Sequence, residues 1–296
     1  MVKRIVLFLM LIFCAVGAAQ AAHGHYVSGV EGIKAATLPP PGAYYRMYNV
    51  WYTADSYRNN RGGSEGDFEA DVFANVHRFI YSSDIELLGA NLVVDIAVPL
   101  QYTHLTIGEM GDNEFGLGDI LVEPFILAWH KERWDVALGF GAYLPTGKFG
   151  WDKPASAGKG FWTFMFTFGG TYYFDEAKTW SASVLARYEI HTKQRDTDIT
   201  PGHDFHFEWG LGKSIMHGPG VGIFDFGLAG YCSWTITQDS GDLSGNDKEA
   251  AYAIGPEIGY TYIPWGASAA LRVLWEFENR NATQGTIATL AITKAF

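Results

Sequence analysis

The chain has 296 residues, 48% hydrophobic and only 18% charged, and its 32 acidic against 21 basic side chains leave a net charge of −11. A chain this acidic is a poor partner for the phosphates of nucleic acid. Two cysteines cannot build a disulfide scaffold.

Residues 1–21 read as a secretory leader. Lys3 and Arg4 precede an apolar stretch from Ile5 to Val16, and Ala19-Gln20-Ala21 offers a small-x-small cleavage site. Its removal takes away two bases and no acid, so the processed chain carries −13 and keeps one cysteine, Cys232. Residues 22–43, with Pro39–Pro41, are too short for a domain. They are expected to be either a stiff periplasmic tail or a plug folded into a barrel mouth.

From residue 44 onward the dominant period is two, the repeat of a strand with one apolar and one polar face. In Asn91–Thr103, Leu92, Val94, Ile96, Val98, Leu100 and Tyr102 share one face, and Asp95, Pro99 and Gln101 the other. The same sorting sets Phe68, Ala70, Val72, Ala74 and Val76 against Glu69 and Asp71. It sets Ile120, Val122 and Pro124 against Asp119 and Glu123, and Trp134, Leu138 and Phe140 against Asp135 and Tyr143. It sets Trp180, Val184 and Tyr188 against Arg187 and Glu189, and Phe205, Phe207 and Trp209 against His206 and Glu208. Further along, Phe224, Phe226 and Leu228 oppose Asp225, Ile254 and Ile258 oppose Glu257, and Leu271 and Trp275 oppose Arg272 and Glu276. With Tyr44–Thr53, Phe161–Phe174 and Gly285–Phe296 these make roughly twelve strands long enough to cross a membrane. The facing of the first is ambiguous, with Arg46 on one side and Met47 and Trp51 on the other.

The longest uncharged run after the leader, Gly160–Phe174, has 15 residues, short of the ~20 that a spanning helix needs. Long polar connections at Ser56–Asp67, His104–Phe115, Pro145–Lys159, Thr192–Gly202, Gln238–Glu249 and Glu278–Gln284 alternate with shorter ones. Trp129, Trp134, Trp180, Tyr260, Tyr262 and Trp265 gather at the shorter ones, as an interfacial girdle would. A secreted β-sandwich also alternates in polarity, but it gives no reason for alternating loop lengths. The expected fold is therefore all-β: an antiparallel transmembrane β-barrel of about twelve strands over residues 44–296, of outer-membrane type. Pro99 and Pro124 should sit at strand ends or bulges. Phe296, behind an alternating strand, resembles the signal read by the outer-membrane assembly machinery, although Lys294 departs from the usual pattern.

By parity the interior carries Glu69, Asp71, Asp95, Asp119, Glu123, Asp135, Glu189, Glu208, Asp225, Glu257 and Glu276 against Arg187 and Arg272. Such a lumen either disfavours anions in an open channel or is a network of charges in a filled one. His23-Gly24-His25 is read as disordered tail in preference to a metal site. His203 and His206, an odd number apart on a strand, cannot share a metal. No metal or cofactor is expected.

Several stretches, taken in order, resemble one family: "TLPPPGAYYRMYNVWYTAD", "DVFANVHRFIY", "LLGANLVVDIAVPL", "FGLGDILVEPFILAWH", "YLPTGKF", "TKQRDTDITPGHDFHFEWGLG" and "YAIGPEIGY". These are outer-membrane proteins named for the meta-pathway of phenol degradation, encoded beside aromatic-catabolic genes. The resemblance spans nearly the whole processed chain. It implies a barrel that moves aromatic or other hydrophobic compounds, and it brings no catalytic residues with it.

The expected function is passive uptake of small hydrophobic molecules across the outer membrane, with membrane lipid and the assembly machinery as partners. Candidate lumen contacts are Asp95, Asp119, Glu123, Tyr143, Arg187, Glu189, Glu208, Glu257 and Arg272, gated by the loops Pro145–Lys159 and Thr192–Gly202. A non-conducting structural barrel is the alternative. A lipid-modifying enzyme is a weaker one, since no histidine is followed two residues on by a serine.

Overall fold

The computed structural model describes residues 24–153, 155–241 and 248–296. The leader, its cleavage site and His23 lie outside the described residues. The first strands are β1 (Gly42–Arg58), β2 (Phe68–Leu87), β3 (Ala90–Ile107), β4 (Met110–Leu117) and β5 (Ile120–His130). Next come β6 (Trp134–Leu144), β7 (Thr163–Tyr173), β8 (Trp180–His191) and β9 (Asp204–His217). The last are β10 (Gly222–Thr235), β11 (Ala250–Tyr262), β12 (Ala267–Arg280) and β13 (Ala282–Ala295).

Every pairing is antiparallel, and the terminal strand closes the ring by pairing with the first, from Tyr44↔Ala295 to Arg58↔Ala282. β4 and β5 pair with successive stretches of β3, Leu100–Ile107 and Asn91–Ala97, so together they form one stave. Thirteen strands thus make the twelve-stave barrel that the alternation predicted. Closure gives every stave two neighbours, which is how a sheet survives in hydrocarbon.

Both prolines fall where the ladder is already interrupted. Pro99 lies where the partner of β3 changes, and its carbonyl accepts the N–H of Gly118. Pro124 lies in a bulge between Val122 and Phe125. The outer face is apolar, with Phe166, Phe168, Phe226, Ile258 and Trp275 exposed. The long loops sit at one end and the short turns at the other.

Three expectations about the strands need correction. His104–Phe115 is not a loop: β3 and β4 run on into a tight hairpin. The expected connection Glu278–Gln284 shrinks to Asn281, and β1 extends to Arg58. Beyond the bilayer both faces of a strand meet water, so polar sequence there marks a strand's emergence rather than its end. In β2 the facing is reversed. Phe68, Ala70 and Ala74 are buried inside and Glu69 is exposed. Alanine and valine suit either face, and here they line an apolar part of the lumen. β1 presents Tyr48, Val50 and Tyr52 inward and Trp51 outward, which settles Arg46 as an interior residue.

Gly24–Pro41 runs through the lumen from the long-loop end to the short-turn end. His25 meets Asp119 and Thr163 at one end, and Thr37 meets Asp135 and Thr171 at the other. Glycine makes the fit on both sides. A Cβ on Gly32 would lie 1.7 Å from Glu257 Oε2, and one on Gly210 of the wall 2.7 Å from Ile33 Cα. Gly210 therefore serves clearance and not only curvature.

Candidate functional site

The interior of the barrel is organised around this segment. Glu208, wholly buried, accepts hydrogen bonds from Tyr26 OH (2.7 Å), Gly29 N (2.6 Å), Glu31 N (3.2 Å) and Arg187 Nη1 (3.3 Å). The Arg187 guanidinium also lies 3.7 Å from the centre of the Tyr26 ring, close enough for a cation–π contact. Glu189 Oε1 accepts the N–H of Tyr26. Further down, Arg272 donates from Nη1 to Gly29 O (2.7 Å) and from Nε to Glu257 (2.8 Å), whose Oε2 also accepts Ile33 N. Lys34 reaches Asp225 and Ser214 near the short-turn end.

Beside the segment stands a second hub, Arg78 of β2. Its Nη1 donates to Glu31 (3.2 Å), and its Nη2 donates to Asp95 (2.5 Å) and Glu123 (2.8 Å). Glu31 is held in addition by Arg46 (3.3 Å) and Tyr48 OH (2.6 Å). One segment carboxylate and two wall carboxylates thus share two guanidiniums. Charge-assisted forks of this kind fix geometry as well as neutralise charge.

At the long-loop end His25 lies parallel to Tyr143, ring centres 4.9 Å apart, and edge-on to Phe161. Burial pushes its imidazole down to about 4, against an opposing hydrogen bond to Asp119. Burial alone would raise the Asp119 carboxyl. His25 and the backbone N–H groups of Lys159 and Gly147 instead bring it below the usual carboxylate range.

Between the segment and the β1–β3 wall lies a cavity of about 240 Å³. Val50, Val72, Ala74, Val76, Ala97 and Leu121 give it an apolar side, and Arg78, Glu31 and Glu123 lie at its charged edge. Of the residues singled out from sequence, Asp119, Glu123, Tyr143 and Arg187 line this cavity. Asp95 lies behind Arg78, while Glu189, Glu208, Glu257 and Arg272 grip the segment. The wall of acids seen in the sequence is therefore largely a set of sockets for the chain's own N-terminal stretch. Sequence reasoning missed Arg78, Glu31, His25 and Tyr26. Parity along β2 put Arg78 on the lipid side; His25, read as disordered tail in His23-Gly24-His25, is instead buried against Asp119 and Thr163; and no local pattern marks Glu31 or Tyr26.

The profile of the family described as "Putative MetA-pathway of phenol degradation" matches residues 54–292. The chain belongs to this family. The matched span covers Arg78, Glu189, Glu208, Glu257 and Arg272, but neither Arg46 and Tyr48 nor the lumenal segment. In fold, an outer-membrane channel from Pseudomonas putida F1 is similar at a TM-score of 0.76 and 13% identity, over 92% of this chain and 100% of that one. The β domain of the Bordetella autotransporter BrkA is similar at 0.53 and 12%, over 87% and 100%. Both likenesses place the fold among outer-membrane barrels. A comparison with curated proteins finds no significant match.

Proposed function

We propose that the protein is an outer-membrane channel through which small apolar or aromatic molecules enter passively, the long loops facing outward and residues 1–21 serving as a cleaved export leader. Membrane lipid surrounds the apolar outer face, and Phe296 engages the assembly machinery. The observation that carries this reading is the apolar-sided cavity beside a lumen filled by protein. Hydrated ions gain little from such a path, whereas a single-ring molecule can exchange water for Val50, Val72, Val76 and Leu121. An apolar cavity of about 150 Å³ is enough to hold benzene, so this one is of suitable size. The loops Pro145–Lys159 and Thr192–Gly202 stand at the entrance as gates.

Supporting the second reading, a non-conducting barrel, are the ion pairs that fasten the segment along the lumen. Uptake separates the two. Cells lacking the protein should accumulate labelled phenol-like and alkylbenzene compounds more slowly at low external concentration than complemented cells, with sugars of similar size unaffected. Equal rates for every aromatic compound tried would remove the transport reading for that class.

A further inference from the structure

The outer wall is apolar except along one strip of β1 and β2. Here the cross-strand rung Leu290–Asn49–Asn75–Leu100 sets two amides between two leucines. Both amides point outward. Asn49 alternates with the buried Tyr48 and Val50, and Asn75 with Ala74 and Val76, which line the cavity. On the next outward rung toward the short turns, His77 Nδ1 meets Tyr45 OH at 2.6 Å. Aromatic rings bound the strip. Trp51 and Phe73 lie above it with ring centres 5.2 Å apart, and Tyr45 and Phe79 below it at 5.3 Å. Tyr45 pairs with Lys294 at the short-turn interface. A strand tilted by about 40° climbs roughly 2.5 Å per residue. Asn49 therefore stands about 10 Å into an apolar band about 25 Å tall, where lipid offers no hydrogen-bond partner.

Asn75 Nδ2 donates to Asn49 Oδ1 at 2.8 Å. That bond leaves over a donor, Asn49 Nδ2, and an acceptor, Asn75 Oδ1, neither of which has a partner among the described residues. Left in hydrocarbon, both are costly, and a protein surface that pairs them removes the cost. The leftover groups are self-complementary. A two-fold axis along the membrane normal, passing between Asn49 and Asn75, faces Asn49 of each copy with Asn75 of the other. Each Asn49 Nδ2 then donates to the other copy's Asn75 Oδ1, and four amides close a ring. This is the isologous geometry in which one patch serves both sides. We propose that two copies of this chain associate side by side in the outer membrane through this strip, with the Asn49–Asn75 rung at its centre. A different protein would have to bring a matching donor and acceptor to the same depth; a second copy supplies them by symmetry. The same axis sets the exposed Trp51 against Phe73 of the other copy and the exposed Phe79 against its Tyr45. Toward the long loops the strip ends at Asp71 and Glu69, where the outward face turns acidic and the two walls part.

The test uses the full processed protein in the outer membrane of intact cells. Two versions with Cys232→Ser are coexpressed, one carrying Asn49→Cys and the other Asn75→Cys, each checked for folding by heat-modifiable migration. Oxidation should give a reductant-sensitive dimer about tenfold more abundant than Phe226→Cys gives, an exposed position on β10. A yield no higher than that control, or an adduct with a protein of another mass, overturns the proposal. The purified wild type should also sediment as a dimer in mild detergent, and Asn49→Leu with Asn75→Leu should weaken association on the order of tenfold in a barrel that still folds. Undiminished dimers in the folded leucine variant overturn the proposal, because the contact then lies elsewhere. Should the cysteine versions fail to fold, sedimentation of the wild type decides, and monomers alone overturn it.

Discussion

Deletion of residues 24–37 should raise the single-channel conductance of the purified barrel on the order of tenfold. The segment fills the lumen from His25 to Thr37, and a ring of twelve staves lies between the small barrels that side chains fill and the wide ones that carry aqueous channels. The ladder from β1 to β13 uses no backbone group of the segment, so the truncated chain should still fold and show heat-modifiable migration. Its exposed anchors, Glu208, Glu189, Glu257 and Arg272, would then line a water-filled pore with a surplus of acids, and the current should favour cations. Conductance unchanged in a properly folded truncation would mean that the segment does not limit the path.

Arg78→Met should cost about 3 kcal/mol of stability, among the larger single-residue effects available in this lumen. The guanidinium lies among Glu31, Asp95 and Glu123, at 3.2, 2.5 and 2.8 Å. Methionine keeps the length and apolar stem but leaves Glu31 with Arg46 and takes the paired guanidinium away from Asp95 and Glu123. The cost arises from uncompensated buried charge more than from lost attraction. Accordingly Glu123→Gln, harmful alone, should recover part of the loss when combined with Arg78→Met. Urea titration in lipid vesicles, read from folded and unfolded gel bands, gives the comparison. Strict additivity of the two changes, or a loss below about 0.5 kcal/mol, would contradict the hub.

How much of this was legible depended on what each face touches. Along β3 and from β6 to β11 one side meets lipid and the other meets charge, so odd–even sorting placed Asp95, Asp135, Glu189, Glu208 and Glu257 inside directly from sequence. Along β2 the lumenal side is apolar where it lines the cavity, and the outward side carries Glu69, Asp71, Asn75 and His77, so polarity pointed the wrong way. Arg78 was lost there. Contacts of the segment span some 180 positions, as between Tyr26 and Glu208, and no local period reports them. The histidine pair examined for metal, His203 and His206, does point to opposite sides: His206 is buried, while His203 bonds Tyr188 OH.

The central claim is that the chain's N-terminal stretch occupies its own barrel. Thr37 Oγ1 and Thr171 Oγ1 lie 3.0 Å apart at the short-turn end. With Cys232 replaced by serine, the pair Thr37→Cys and Thr171→Cys should oxidise to a disulfide in intact cells, seen as a reductant-sensitive change in gel migration. Two free thiols, both open to a maleimide in the folded protein, would place the segment outside the lumen.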